Sequence, residues 1–272
     1  ALLGTELPSS VTTKSFSADL DIQSGSKHGT GIAEIIYDIA PAAQFYLVNF
    51  DTTVELGNAV DWLIAQGVHI ISHSVGWPGQ GLGDGTGQVD DMVAKATNAG
   101  ILWVNAAGNY AQKHWSGNWT DADSDSWQEF QTTDETQNIT VSTGQEISVY
   151  LTWDDPWGSS NNDYDLYLYN SSMTLVVSSN NPQSGYYYPY PSEHISYLAP
   201  TSGTYHISIK KYSSNKVSKL NLLTANHDLQ YQVPAGSIAP PADSPYALSV
   251  GAVAWNTPTT LETYSSQGPT ID

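Results

Sequence analysis

The chain has 272 residues, 40% of them hydrophobic, with 27 acidic against 8 basic side chains and a formal net charge of −19. That field repels a polyanion, which argues against nucleic acid as a partner, and no apolar run approaches the ~18 residues of a membrane span. Cysteine is absent, so stability must come from core size and bound metal rather than cross-links. Scarce Lys beside 17 Tyr and 9 Trp fits an extracellular, secreted protein.

In chain order, residues 28 to 110 alternate helix and strand signals. Gly29 to Tyr37 reads as a helix with Ile32, Ile35 and Ile36 on one face. Gln44 to Phe50 is a short apolar run and a buried strand. Val54 to Gln66 has helical spacing and stops at Gly67, a good residue just past a helix end. Val68 to Val75 is a strand, Val89 to Asn98 a helix closed by Gly100, and Ile101 to Ala106 another strand. Such alternation implies a parallel sheet with helical crossovers.

From about residue 115 to 235 the helical period gives way to short alternating strands. Ile147 to Trp153, Tyr164 to Tyr169, Thr174 to Ser178, Thr204 to Lys210 and Val217 to Leu223 are the clearest, with turn-forming stretches between them. A β-sandwich of roughly 90 to 110 residues is expected. Ala247 to Ala254 then returns to buried-strand texture. The predicted organisation is an α/β domain over 1–114, an inserted antiparallel β-sandwich over 115–235, and the α/β domain resumed over 236–272.

Four motifs carry chemistry. His28 opens His28-Gly29-Thr30-Gly31, and an imidazole is the usual general base for a hydroxyl nucleophile; alone, the motif is equally an ordinary turn and helix cap. Asn109 ends Ala106-Ala107-Gly108-Asn109 directly after a strand. A side-chain amide there can stabilise an oxyanion, and the small residues Ala106, Ala107 and Gly108 let a substrate backbone approach; a plain Gly-Asn turn is the alternative. Ser74, Val75 and Gly76 end another strand, where an extended peptide could pair as an added strand. Last come Leu248-Ser249-Val250-Gly251-Ala252-Val253 and Tyr264-Ser265-Ser266-Gln267-Gly268-Pro269.

In this order the motifs resemble the signature blocks of subtilisin-like serine proteases (subtilases). The resemblance covers residues 28 to 110 and 236 to 272 and implies a parallel sheet with helices on both faces. It also implies a polypeptide substrate and a Ser-His-Asp triad acting through an acyl-enzyme, with His28 the triad base and Asn109 the oxyanion donor. Ser74 to Gly76 and Ala106 to Gly108 would border the substrate. Trp77 and Pro78 depart from the commonest pattern and would narrow the first specificity pocket. No Gly-Thr-Ser nucleophile motif occurs, and neither Asp19 nor Asp21 is reached by an apolar strand. The nucleophile is therefore expected beyond Asp272 and the orienting Asp before residue 1, leaving the chain inactive alone. Open sheet edges would then favour association; the sequence itself specifies no oligomeric state.

The segments Asn162 to Tyr169 and Gly203 to Ile209 resemble bacterial pre-peptidase C-terminal β-sandwich domains. Asp121, Asp123 and Asp125 alternate as calcium-loop carboxylates do, without the EF-hand glycine or spacing; a solvated acidic loop is the alternative. Asp154, Asp155, Asp163 and Asp165 form a weaker cluster of the same kind. The sequence admits two other readings. One is a catalytically dead subtilase scaffold whose β-insert binds protein or glycan, with Tyr186 to Tyr190 as a sugar-stacking platform. The other is a nucleotide loop at Gly79-Gln80-Gly81-Leu82-Gly83, which has neither the G-x-G-x-x-G spacing nor a Walker Lys.

Overall fold

The computed structural model describes residues 2–23, 25–183 and 190–270. Its first part is α/β. Strand β1 (Thr12–Ser15) is followed by helix α1 (His28–Ile39), strand β2 (Tyr46–Asn49), helix α2 (Thr53–Gln66), strand β3 (Ile70–His73), helix α3 (Gln88–Asn98) and strand β4 (Leu102–Ala106). Helix α2 shows why its bounds are sharp. Thr52 Oγ1 accepts the Glu55 N–H at 3.2 Å while Glu55 Oε2 accepts the Thr52 N–H at 3.0 Å, a capping box that satisfies two orphan donors. At the other end Gly67 takes φ +68° and returns its N–H to Ile64. Leu56, Ala59, Val60 and Leu63 bury one stripe of α2 against α3, Ile71 and Trp103.

The β-rich part follows: β5 (His114–Asn118), β6 (Gln137–Val141), β7 (Glu146–Trp153), β8 (Asp163–Tyr169), β9 (Leu175–Ser179), β10 (Ser192–Leu198), β11 (Gly203–Ser213) and β12 (Lys219–Thr224). They form two four-stranded antiparallel sheets, ordered β10-β7-β12-β5 and β6-β11-β8-β9. The period of two governs the packing. Ile147, Val149, Leu151 and Trp153 of β7 point inward to meet Tyr164, Leu166 and Leu168 of β8 and Ile207 and Ile209 of β11 in one core. Each such side chain contributes about 1.5–3 kcal/mol on burial.

The chain then returns to the first sheet. Strand β13 (Ala247–Val250) lies parallel to β4 on the side away from β3, giving the order β13-β4-β3. The predicted strand Ala247 to Ala254 is interrupted at Gly251, after which β14 (Val253–Ala254) pairs with β15 (Thr257–Leu261). A separate parallel pair, β1-β2, carries α1 through Leu7, Ala33 and Phe45. On the three-stranded sheet α2 and α3 cover the face of Ile71 and Trp103, while Ile70, Leu102, Leu248 and Val250 of the other face are exposed.

Candidate active site

The C-terminal ends of parallel strands are where α/β sheets place their chemistry, and three predicted motifs meet there. The β3 hydrogen bonding stops at His73, so Ser74, Val75 and Gly76 run on from an edge strand without strand pairing. Beside them β4 ends at Ala106 and leads into Ala107, Gly108 and the exposed Asn109. Ala107 donates its N–H to Val250 O at 2.8 Å, which carries the β13-β4 pairing past the end of β4.

The terminal block pins this corner. Ser266 donates its N–H to Gly108 O at 2.9 Å and its Oγ accepts the Tyr110 N–H at 2.9 Å; the two bonds bracket Asn109. Ala111 reaches Tyr264 O at 3.2 Å, and Ser265 Oγ accepts the Ala252 N–H at 3.0 Å. Both serines are buried, so they are framework groups. Gly108 has φ +103°, and a Cβ there would fall 2.8 Å from Tyr110 Cδ2 and 2.9 Å from Ser266 Oγ; glycine is required on both counts.

Tyr110 is a residue that motif reading passes over. A Cβ on Gly76 would lie 3.0 Å from its Oη, and one on Gly108 2.9 Å from its Cε2, so the ring abuts both strand ends. Burial and the neighbouring Tyr150 push its hydroxyl above the usual tyrosine pKa. Its signal in the sequence was only its place, directly after Asn109.

Beneath the site His73 is buried, stacked on Phe50 at 5.9 Å and tilted against Trp103 at 5.2 Å. Asn105 fixes its tautomer. The Asn105 amide donates to Ala106 O, and its Oδ1 accepts from Trp103 Nε1 at 3.2 Å and from His73 Nδ1–H at 2.6 Å. His73 Nε2 is left without a partner, and burial lowers the His73 pKa to about 4. A neutral, sequestered imidazole of this kind is structural.

His28 stands elsewhere, exposed as the first residue of α1, with its backbone N–H on Ser26 Oγ at 3.1 Å. Among the described residues no hydrogen bond, ring contact or ion pair joins its side chain to the Asn109 corner. Strand β1 does precede Asp19, but Thr-Thr-Lys-Ser carries no apolar residue and the strand ends at Ser15. Asp19 Oδ1 accepts from Ser17 Oγ at 2.7 Å and from the Asp21 N–H at 2.9 Å.

Asp121, Asp123 and Asp125 each bring a carboxylate oxygen within 4.8 Å of the others, a set of hard oxygens that fits calcium. Asp121 also accepts the N–H groups of Asp125 at 3.0 Å and Ser126 at 3.2 Å. In the weaker cluster, Asp155 is committed to Ser160, Asn162 and Lys216. Of the tyrosine run, only Tyr190 falls within the described residues, stacked obliquely on Trp157 at 5.2 Å.

A family model for the subtilase family, Peptidase S8, matches residues 10–272. The chain belongs to the subtilase family. The CspB protease of Clostridium perfringens superposes with a TM-score of 0.61 at 14% identity, covering 85% of this chain and 54% of that one; this subtilase chain thus spans about half the length of that neighbour. The pre-peptidase C-terminal domain of a Bacillus anthracis collagenase aligns with 42% of this chain and 88% of its own, at 11% identity and a TM-score of 0.28. A carbohydrate-binding module from Cellvibrio mixtus aligns with 47% of this chain and 95% of its own, at 13% identity and a TM-score of 0.23. Neither of those two scores carries weight. A search of curated protein sequences found no match. No helix among the described residues is long and apolar enough to cross a membrane.

Proposed function

We propose that this chain is the central part of a secreted serine endopeptidase that hydrolyses peptide bonds through an acyl-enzyme. Asn109 donates its side-chain amide to the oxyanion. Ser74 to Gly76 pair with substrate as an added strand, and Ala106 to Gly108 form the facing wall. His28 is the general base, and Asp121, Asp123 and Asp125 hold a structural calcium. The nucleophilic Ser and orienting Asp are supplied by residues outside the 272 described by sequence, so the chain alone is inactive. The organisation into 1–114, 115–235 and 236–272 belongs to the same reading.

The observation that carries it is the bracketing of Asn109 by the two Ser266 bonds at the mouth of β3 and β4. The two bonds fix the backbone on either side of Asn109 and so the point from which its side-chain amide reaches the oxyanion, which supports a preorganised donor. The test is casein or fluorogenic-peptide turnover by the full-length protein and its Asn109→Ala and His28→Ala forms. Loss of turnover in both, with folding unchanged, is expected; retained turnover in either removes that residue from the mechanism.

A further inference from the structure

Buried carboxylates in this fold are, as a rule, satisfied. Glu193 accepts from Asn181 N and Nδ2, both at 2.9 Å, and from Gln183 Nε2 at 2.7 Å. Asp155 accepts from Ser160 Oγ at 2.7 Å, from Asn162 N at 2.9 Å and Nδ2 at 2.7 Å, and faces Lys216 Nζ at 3.0 Å. Asp163 Oδ1 lacks a partner, and Asp90 and Asp243 break the rule side by side, against one loop. Asp90 is 3% exposed and Asp243 4%. Apart from its own backbone N–H, neither oxygen of Asp90 has a hydrogen-bond partner. Asp243 Oδ2 accepts the Gly85 N–H at 3.0 Å, while Oδ1 has no partner from another residue. Among the described residues no lysine pairs with either. Leaving such charge uncompensated is costly.

The surroundings supply further oxygens. Residues 78–87, which include the glycine-rich stretch Gly79 to Gly83, run beside the two acids. Gly79, Gly83, Gly85 and Gly87 all take positive φ. A Cβ on Gly87 would lie 3.2 Å from Gln80 O and 3.4 Å from Asp90 Oδ2; one on Gly85 would lie 3.2 Å from Asp243 O; one on Gly81 would lie 3.0 Å from Thr86 O. The loop therefore packs backbone, carbonyls included, where side chains would otherwise stand. We propose that Asp90 and Asp243, with carbonyl oxygens of the 78–87 loop, bind a hard cation of the calcium class. Two carboxylates and several carbonyls make a suitable oxygen set. The ion would tie the segment after β3 and the first turn of α3 to the 240–244 segment that returns the chain to β13. It would thereby brace the floor beneath Ser74 to Gly76, where Trp77 already donates its N–H to Pro240 O at 2.7 Å.

The experiment uses full-length protein with Asp121, Asp123 and Asp125 changed to Asn, so that the surface loop cannot contribute. Bound calcium is counted by equilibrium dialysis, and thermal unfolding is followed in EDTA and in excess calcium, with and without D90N/D243N. The parent should hold one calcium more than the variant and gain about 5 °C or more at ~100-fold excess over Kd. The variant should lose that gain while unfolding in EDTA no earlier than its parent. Equal calcium content, or an equal calcium shift, overturns the site. Should D90N/D243N fail to fold, amide exchange in the parent decides. Slowing over residues 78–91 and 240–244 on calcium addition upholds the site; unchanged rates overturn it.

Discussion

The backbone N–H of Tyr110 donates to Oγ of Ser266 at 2.9 Å, across 156 residues of sequence and the whole β-sandwich. The serine N–H closes the other side on Gly108 O. An Asn in an exposed turn would otherwise sample many rotamers and backbone states; here its two neighbours are fixed to the segment that follows β13. Ser266→Ala strands the part-buried Tyr110 N–H and should cost about 1–3 kcal/mol in stability. Its kcat in the full-length enzyme should fall while KM changes little, as the transition-state role proposed for Asn109 requires. Urea unfolding and steady-state kinetics on the same preparation separate the two effects.

Asn109→Ala should lower kcat by about 10²–10³, a magnitude taken over from subtilisin itself. The fold should be untouched, because the Asn109 side chain is exposed. A circular dichroism melt beside the kinetics checks both halves of that statement.

Tyr110 predicts a specificity change. Its ring abuts Gly76 and Gly108, the two strand ends that would flank a substrate side chain. Tyr110→Ala should open that space and raise kcat/KM for peptides with large side chains at the cleaved residue, relative to small ones. A peptide panel varied at that residue measures the ratio; an unchanged ratio would place Tyr110 outside the pocket.

Stability should fall in mild acid because of His73. Burial, first of all, lowers its folded pKa to about 4, below the usual histidine value of 6.5. The unfolded chain therefore binds the proton more tightly. Stability is full above about pH 6.5, declines as pH drops, and levels off below about pH 4, a loss of about 3 kcal/mol. His73→Leu should flatten this part of the profile in urea titrations between those limits.

Much of this was legible in sequence where period and punctuation agree. Helix α2 ends at Gly67, and β7 and β8 keep their alternation over their full length. Other elements were hidden for identifiable reasons. Strand β1 reads Thr-Thr-Lys-Ser, with nothing apolar to mark it. In β10 the inward position of the alternation is taken by Glu193, 1% exposed, which a hydrophobicity pattern scores as outward until its Ser179, Asn181 and Gln183 partners are seen. The Asn109 corner was readable as a motif, but its fixation by Ser266 depends on a return from across the sandwich that no local pattern encodes. Asp90 stands in the first turn of α3, where an acid is welcome at the positive end of the dipole; only its burial sets it apart.

The central claim is that His28 and Asn109 serve a nucleophile lying outside these 272 residues. The most direct measurement is fluorophosphonate labelling of the full-length protein, wild type and His28→Ala, with the modified residue located by peptide mass spectrometry. The account predicts a labelled serine beyond Asp272, with labelling and peptide turnover both abolished by His28→Ala. Labelling at Ser265 or Ser266, or full-length protein that neither labels nor cleaves, would contradict it.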